Sequence, residues 1–67
     1  MARGSKRGNE YRYRFYMGWL EVTQNSTGKT YVTDGEEAEL FCDDAMYFES
    51  DADLDAACSR FFQGEDE

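Results

Sequence analysis

Residues 10–23, EYRYRFYMGWLEVT, decide the fold. Tyr11, Tyr13, Phe15, Met17 and Trp19 alternate with Arg12, Arg14, Tyr16 and Gly18. A period of two marks a β-strand with one face in the core. Past Gly18, the apolar residues Leu20 and Val22 fall on the opposite parity. A β-bulge at Gly18 reconciles the two stretches into one long strand. The next five residues, QNSTG, are turn material, and KTYVT over residues 29–33 returns as a second strand. The first half therefore reads as a β-hairpin. Two strands alone are not stable in water, so a helix must cover one face.

Asp34-Gly35 permits two continuations. As a hairpin turn it launches a third strand through Ala38, Leu40 and Cys42. As a helix start it puts Glu36 and Glu37 in the first turn, where carboxylates meet the positive end of the dipole. Ala38, Phe41, Ala45 and Phe48 recur at spacings of three, four and three, which favours a helix over residues 36–46. Further on, Ser50 suits an N-cap and Ser50-x-x-Asp53 approximates a capping box. Leu54, Ala57, Cys58 and Phe61 then form an i, i+3, i+4, i+7 stripe, and Gly64 ends the helix. The expected class is α+β: one small domain, residues 10–64, in the order ββαα, with βββα as the rival. A flexible basic arm (residues 1–9) precedes it and an acidic tail (residues 65–67) follows.

A chain of 67 residues makes one domain. Such a domain buries only about 60% of the surface its unfolded form exposes. Its net stability is then ~3–5 kcal/mol. Five Tyr, five Phe and one Trp supply the core, because large rings bury much area per residue ordered. That aromatic content argues against disorder despite the acidity. No apolar h-region follows the basic start, and no apolar run approaches the roughly 20 residues that span a bilayer. The reading is a cytoplasmic chain whose Cys42 and Cys58 are free thiols. In that setting the sequon Asn25-Ser26-Thr27 is only a turn.

Charge divides the chain in two. Residues 1–33 carry six Lys/Arg against two Asp/Glu, a balance of +4. Residues 34–67 carry thirteen Asp/Glu against Arg60 alone, a balance of −12, and the sum is −8. So lopsided a field points to electrostatic recognition.

Catalysis and metal binding find no support. There is no His to act as a base near neutral pH, and Asp43 and Asp44 beside Cys42 oppose a thiolate. The run Asp51-Ala52-Asp53-Leu54-Asp55 opens like a calcium loop. It then places Ala56 where the sharp turn needs Gly and Phe62 where a bidentate Glu belongs. Two Cys sixteen residues apart do not make a zinc site. The expectation is a non-enzymatic protein with no metal and no cofactor.

Two binding readings remain. The interleaved Tyr11-Arg12-Tyr13-Arg14-Phe15-Tyr16 suits a single-strand binding platform. It equally suits an edge strand whose arginines keep one face soluble, and the total charge opposes a polyanion, so direct nucleic-acid binding is not favoured. The acids are the stronger signal. Glu36, Glu37, Glu39, Asp43, Asp44, Glu49, Asp51, Asp53 and Asp55 run with no Lys or Arg between Asp34 and Ser59, whereas ordinary surfaces mix signs. Carboxylates four apart on a helix are separated by about 6 Å. Two phosphate steps along one DNA strand cover about 7 Å. Glu39/Asp43 and Asp51/Asp55 on two helices offer such a pitch to a basic nucleic-acid channel.

With its small single domain, no catalytic set, acidic residues 36–55 and a hairpin packed with helix, the chain resembles the small phage anti-CRISPR proteins of the acidic DNA-mimic kind. It is similar in the same way to other DNA mimics such as restriction inhibitors. The likeness is one of size, charge and type. It implies a phage or mobile-element inhibitor acting in the cytoplasm of a bacterial host. Its partner would be a basic nucleic-acid-binding protein or CRISPR effector complex, whose DNA-binding surface it occupies as a monomer or homodimer. The basic arm with Arg3, Lys6 and Arg7 departs from a pure mimic. The alternatives are a small nucleic-acid-binding protein using the basic/aromatic strand, and a protein-binding adaptor or antitoxin-like partner.

Overall fold

The computed structural model describes residues 5–66. It is an α+β fold in which a four-stranded antiparallel sheet carries two helices. The strands are β1 (Ser5–Arg7), β2 (Tyr11–Tyr16), β3 (Trp19–Gln24) and β4 (Thr30–Asp34), in spatial order β1-β2-β3-β4. The helices are α1 (Gly35–Ala45) and α2 (Asp51–Asp66).

The expected ββαα order is thus corrected to ββββαα, and the βββα rival is set aside because residues 35–45 are helical. Both added strands have a local cause. The parity switch at Gly18 is a reversal and not a bulge. Met17 and Gly18 both take positive φ, 49° and 84°, and Tyr16 pairs with Trp19 across them. Two positive φ values in a two-residue loop are the signature of a type I′ turn, whose twist matches that of the flanking strands. One expected strand becomes two.

The other added strand comes from the expected flexible arm. Ser5, Lys6 and Arg7 pair with Arg14, Tyr13 and Arg12. Residues 1–4 of that arm, and Glu67 of the tail, lie outside the described residues.

Asp55 fastens β1 and β2 to α2. Its Oδ1 accepts the backbone N–H groups of Glu10 and Tyr11 and its Oδ2 that of Asn9, each at 3.1 Å. Gly8, in the same turn, lies so close to Asp55 and Leu54 that a Cβ there would collide with the Asp55 carboxylate.

The core lies between the helices and one sheet face. Tyr11, Tyr13, Leu20 and Val22 from the sheet meet Ala38 and Phe41 of α1 and Leu54, Ala57, Cys58 and Phe62 of α2. Leu20, Val22 and Cys58 are fully buried. Tyr13 stacks edge-on against Phe15, Phe41 and Phe48, and Phe62 is wedged between Tyr11 and Tyr31. Such edge-to-face pairs add stabilisation beyond the area that they bury.

Two details of α2 depart from the sequence reading. The helix continues through Gly64 to Asp66, and Phe62, not Phe61, completes the buried stripe with Leu54 and Cys58. Phe61 is half-buried against Phe41. The Ser50 cap is present, with the Asp53 N–H donating to Ser50 Oγ at 3.4 Å. The reciprocal arm of the box is shifted by one residue, since Asp53 Oδ2 accepts from Glu49 N–H at 2.9 Å. No helix among the described residues is long and apolar enough to cross a membrane.

Candidate functional site

Most of the acids lie on the helical side of the sheet, whereas the helix-free face carries Arg7, Arg12 and Arg14 beside Glu21 and Asp34. On the helical side, Glu36, Glu37, Glu39, Asp43 and Asp44 are all exposed on α1. The buried residues Ala38 and Phe41 fix that phase, turning Glu36, Leu40, Asp43 and Tyr47 outward together at helical spacing. Glu49 follows in the connection to α2, and Asp51 and Asp53 begin that helix, likewise exposed. Among the described residues, no Lys or Arg lies within ion-pair distance of any of these carboxylates. Asp43 and Asp44 also stand in the last turn of α1 with no basic residue there, facing the negative end of the dipole.

Not all nine expected site residues are available to a partner. Asp55 is committed to three backbone N–H groups, Asp53 caps its own helix, and Glu37 Oε1 accepts from Thr33 Oγ1 at 2.8 Å. Beyond its exposed first turn with Asp51 and Asp53, α2 turns Ala56, Arg60 and Gln63 outward, so the carboxylate array does not continue along the middle of this helix. The Asp51/Asp55 half of the phosphate-like pitch is accordingly lost. The acidic surface consists of Glu36, Glu39, Asp43 and Asp44 on α1, extended by Glu49 and Asp51. Leu40, Met46 and Tyr47 sit exposed among these acids. The five-residue run from Asp51 to Asp55 is about one and a half turns of helix and not a loop, which separates its carboxylates.

The other side of the sheet carries no helix, and strand register orders its side chains into three rows. The first runs Arg7, Arg12, Thr23, Thr30; the second Ser5, Arg14, Glu21, Val32; the third Tyr16, Trp19, Asp34. A concavity of about 560 Å³ lies on this face, lined by Ser5, Arg7, Arg12, Arg14, Glu21 and Thr23 among others; Lys6 also borders it but pairs with core-facing Tyr13. Arg14 pairs with Glu21 at 3.0 Å and sits 4.8 Å over the Tyr16 ring, whose hydroxyl donates to Glu21 at 3.2 Å. Arg12 donates to Asn25 Oδ1 at 2.9 Å, and the Asn25 amide in turn donates to the Gly8 carbonyl at 3.2 Å. The sequon asparagine is thus the tie between two turns.

This assembled face was only half visible in the sequence. Sequence alternation makes Arg12 and Arg14 co-facial, but it leaves Arg7 in the arm and its parity puts Trp19 in the core. The misplaced parity at Gly18 hid Trp19. Read as an X-Gly turn, Met17-Gly18 would have exposed it.

Two acidic groups of the core are displaced from their ordinary titration. Burial, aided by the negative charge of Asp55, pushes the Cys58 thiol up to about 12. Burial foremost, with smaller contributions from Cys58 and Cys42, raises the Tyr13 hydroxyl. A thiol so placed is a core hydrophobe and not a nucleophile. Cys42 and Cys58 are both free, the first exposed and the second buried. No three His, Cys, Asp or Glu side chains among the described residues converge as metal ligands. The chain matches no protein-family model, and no curated protein or solved structure is significantly similar to it.

Proposed function

We propose that this chain is a non-enzymatic inhibitor of the anti-CRISPR or restriction-inhibitor type, carried by a phage or mobile element and acting in the host cytoplasm. Its carboxylate-rich α1 face would occupy the basic DNA-binding surface of a host-defence nucleoprotein complex. The observation carrying this reading is the exposure of Glu36, Glu39, Asp43 and Asp44 on one helix that holds no basic residue. Like-charge crowding without relief costs a marginal domain stability, so its presence calls for a compensating use. Carboxylates present one negative charge each, as backbone phosphates do, and steer toward cationic channels.

Leu40 and Tyr47, exposed between the acids, add what phosphate lacks. Apolar and aromatic anchors of this kind dominate the affinity of protein interfaces. They favour a protein target over a loosely held counterion cloud. The same anchors suit an adaptor or antitoxin-like partner, which would bind one protein tightly without touching its DNA site. Expression in bacteria with active CRISPR interference or restriction distinguishes the two. Inhibition restores plaquing of a targeted phage, whereas an adaptor leaves interference intact.

A further inference from the structure

We propose that the helix-free face of the sheet binds single-stranded nucleic acid, with Arg7, Arg12 and Arg14 on the backbone and Trp19 and Tyr16 stacking on bases. This goes beyond the inhibitor reading and uses the opposite side of the molecule.

Four observations carry the inference. Arg7 and Arg12 are cross-strand neighbours in one row, and Arg14 stands two residues along β2 from Arg12, about 7 Å away. The three guanidiniums therefore form a compact cluster rather than scattered surface charge. They line a concavity of about 560 Å³, large enough for a nucleotide unit and open along the sheet. Beyond them, at the β2–β3 end, Trp19 is 44% exposed and Tyr16 36% exposed, directly paired across the strands on the same face. Rings beside a cationic track are the arrangement that takes unpaired bases, because every base has a π-face. A duplex offers phosphates but no free base faces, which makes the single strand the better fit.

The objection from net charge weakens once the charges are placed. Most of the acids lie on or beside the helices, which cover the other face of the sheet. Two acids share this face: Asp34 stands beside Trp19 in the third row, and Glu21 holds Arg14 over Tyr16; a phosphate would take the place of Glu21 as the partner of Arg14. The acidic α1 face of a second copy is the competing occupant, and its exposed Tyr47 could meet Trp19 and Tyr16, so self-association is one of the outcomes that the titration reads.

The test uses Trp19, the single tryptophan of the chain, as its own reporter. The full chain is titrated with oligothymidylate and oligouridylate of about twelve nucleotides, and with the matching duplex, between 50 and 200 mM salt. Quenching of Trp19 fluorescence by the single strands and not by the duplex is expected. Three phosphate contacts to a single strand give a slope of log K against log salt of about −2. Arg7→Gln with Arg14→Gln should weaken binding by about tenfold and reduce that slope, and Glu21→Gln should tighten it. Circular dichroism confirms that the variants are folded. Equal binding of duplex, insensitivity to the arginine substitutions, or no quenching at any salt would overturn the proposal. So would concentration-dependent self-association that buries Trp19 without oligonucleotide. Glu39→Gln and Asp43→Asn should leave this binding in place, which separates it from the inhibitor reading.

Discussion

The Asp55 carboxylate reaches across 44 residues of sequence to accept the backbone N–H of Tyr11 at 3.1 Å, joining α2 to the start of β2. With Asn9 and Glu10 on the same carboxylate, this contact decides where the first turn sits on the helix layer. A charged acceptor of several backbone donors is one of the stronger polar contacts available to a protein. Asp55→Ala should therefore destabilise by about 1–3 kcal/mol, a large share of what the domain has. Asp55→Asn, which keeps one acceptor oxygen, should fall between. Gly8→Ala should destabilise as well, because its methyl group displaces the same carboxylate. Urea unfolding of the three variants checks this, and wild-type midpoints would remove the clip from the account.

The Met17-Gly18 turn holds a non-glycine residue at φ 49°, in the left-handed region. That conformation costs an L-residue with a Cβ roughly 1–2 kcal/mol, and asparagine tolerates it better than methionine. Met17 is almost fully exposed, so its removal sacrifices no packing. Met17→Asn should raise the thermal midpoint, with a gain of about 0.5–1 kcal/mol. A lowered midpoint would mean that the two strands are joined otherwise, as in the bulged single strand.

Neighbouring phenylalanines of α2 provide a sharper test of helix phase. Phe62 is buried between Tyr11 and Tyr31 with centroid distances of 5.1 and 4.9 Å, whereas Phe61 meets Phe41 at 6.1 Å and is partly open. Phe62→Ala should cost about 3–5 kcal/mol and leave no cooperative transition. Phe61→Ala should still melt cooperatively, at a lower temperature. The reverse ranking in thermal melts would rotate α2 by one residue.

Alkaline pH probes the core through Cys58. The unfolded thiol titrates at its ordinary 9.0, while the folded one is pushed up to about 12. Above pH 9 the unfolded chain sheds a proton that the folded chain keeps, so stability is complete below pH 9 and declines toward pH 12. The raised Tyr13 hydroxyl acts in the same direction at higher pH. Cys58→Ala should start less stable and show a flatter alkaline decline in denaturant midpoint. In the native wild type, a thiol reagent should modify Cys42 promptly and Cys58 only on unfolding. Two equally fast thiols would contradict the burial of Cys58.

Local patterns carried much of this fold in the sequence. The spacing of Ala38, Phe41 and Ala45 specified α1, and Ser50 with Leu54, Ala57 and Cys58 specified α2 within a residue of its start. The alternation of Tyr11, Tyr13 and Phe15 specified β2 and its buried face. What escaped was non-local or ambiguous. A parity change at a glycine is compatible with a bulge or a reversal, and only the partner of Trp19 distinguishes them. β1 is three polar residues with no apolar alternation, so nothing but its pairing to Arg12, Tyr13 and Arg14 makes it a strand. The acidic residues were legible as a charge run, but their division into free and committed groups was not. Asp55 belongs to the turn at Asn9 and Glu10, a relationship that sequence spacing does not carry.

Displacement of DNA from a defence complex is the decisive measurement for the acidic α1 face. A purified CRISPR effector complex or restriction enzyme is incubated with labelled target DNA and increasing chain, and bound DNA is read by electrophoretic shift. The variant of choice carries Glu36→Gln, Glu39→Gln, Asp43→Asn and Asp44→Asn, which spares Asp55, Asp53 and Glu37 and relieves repulsion within α1. It should fold at least as stably as wild type. Wild type is predicted to displace DNA, less effectively as salt rises, and the folded quadruple variant to lose that ability by tenfold or more, of the order of 1.4 kcal/mol. A quadruple variant that displaces DNA as well as wild type, or a wild type that displaces none from any such complex, would contradict the account.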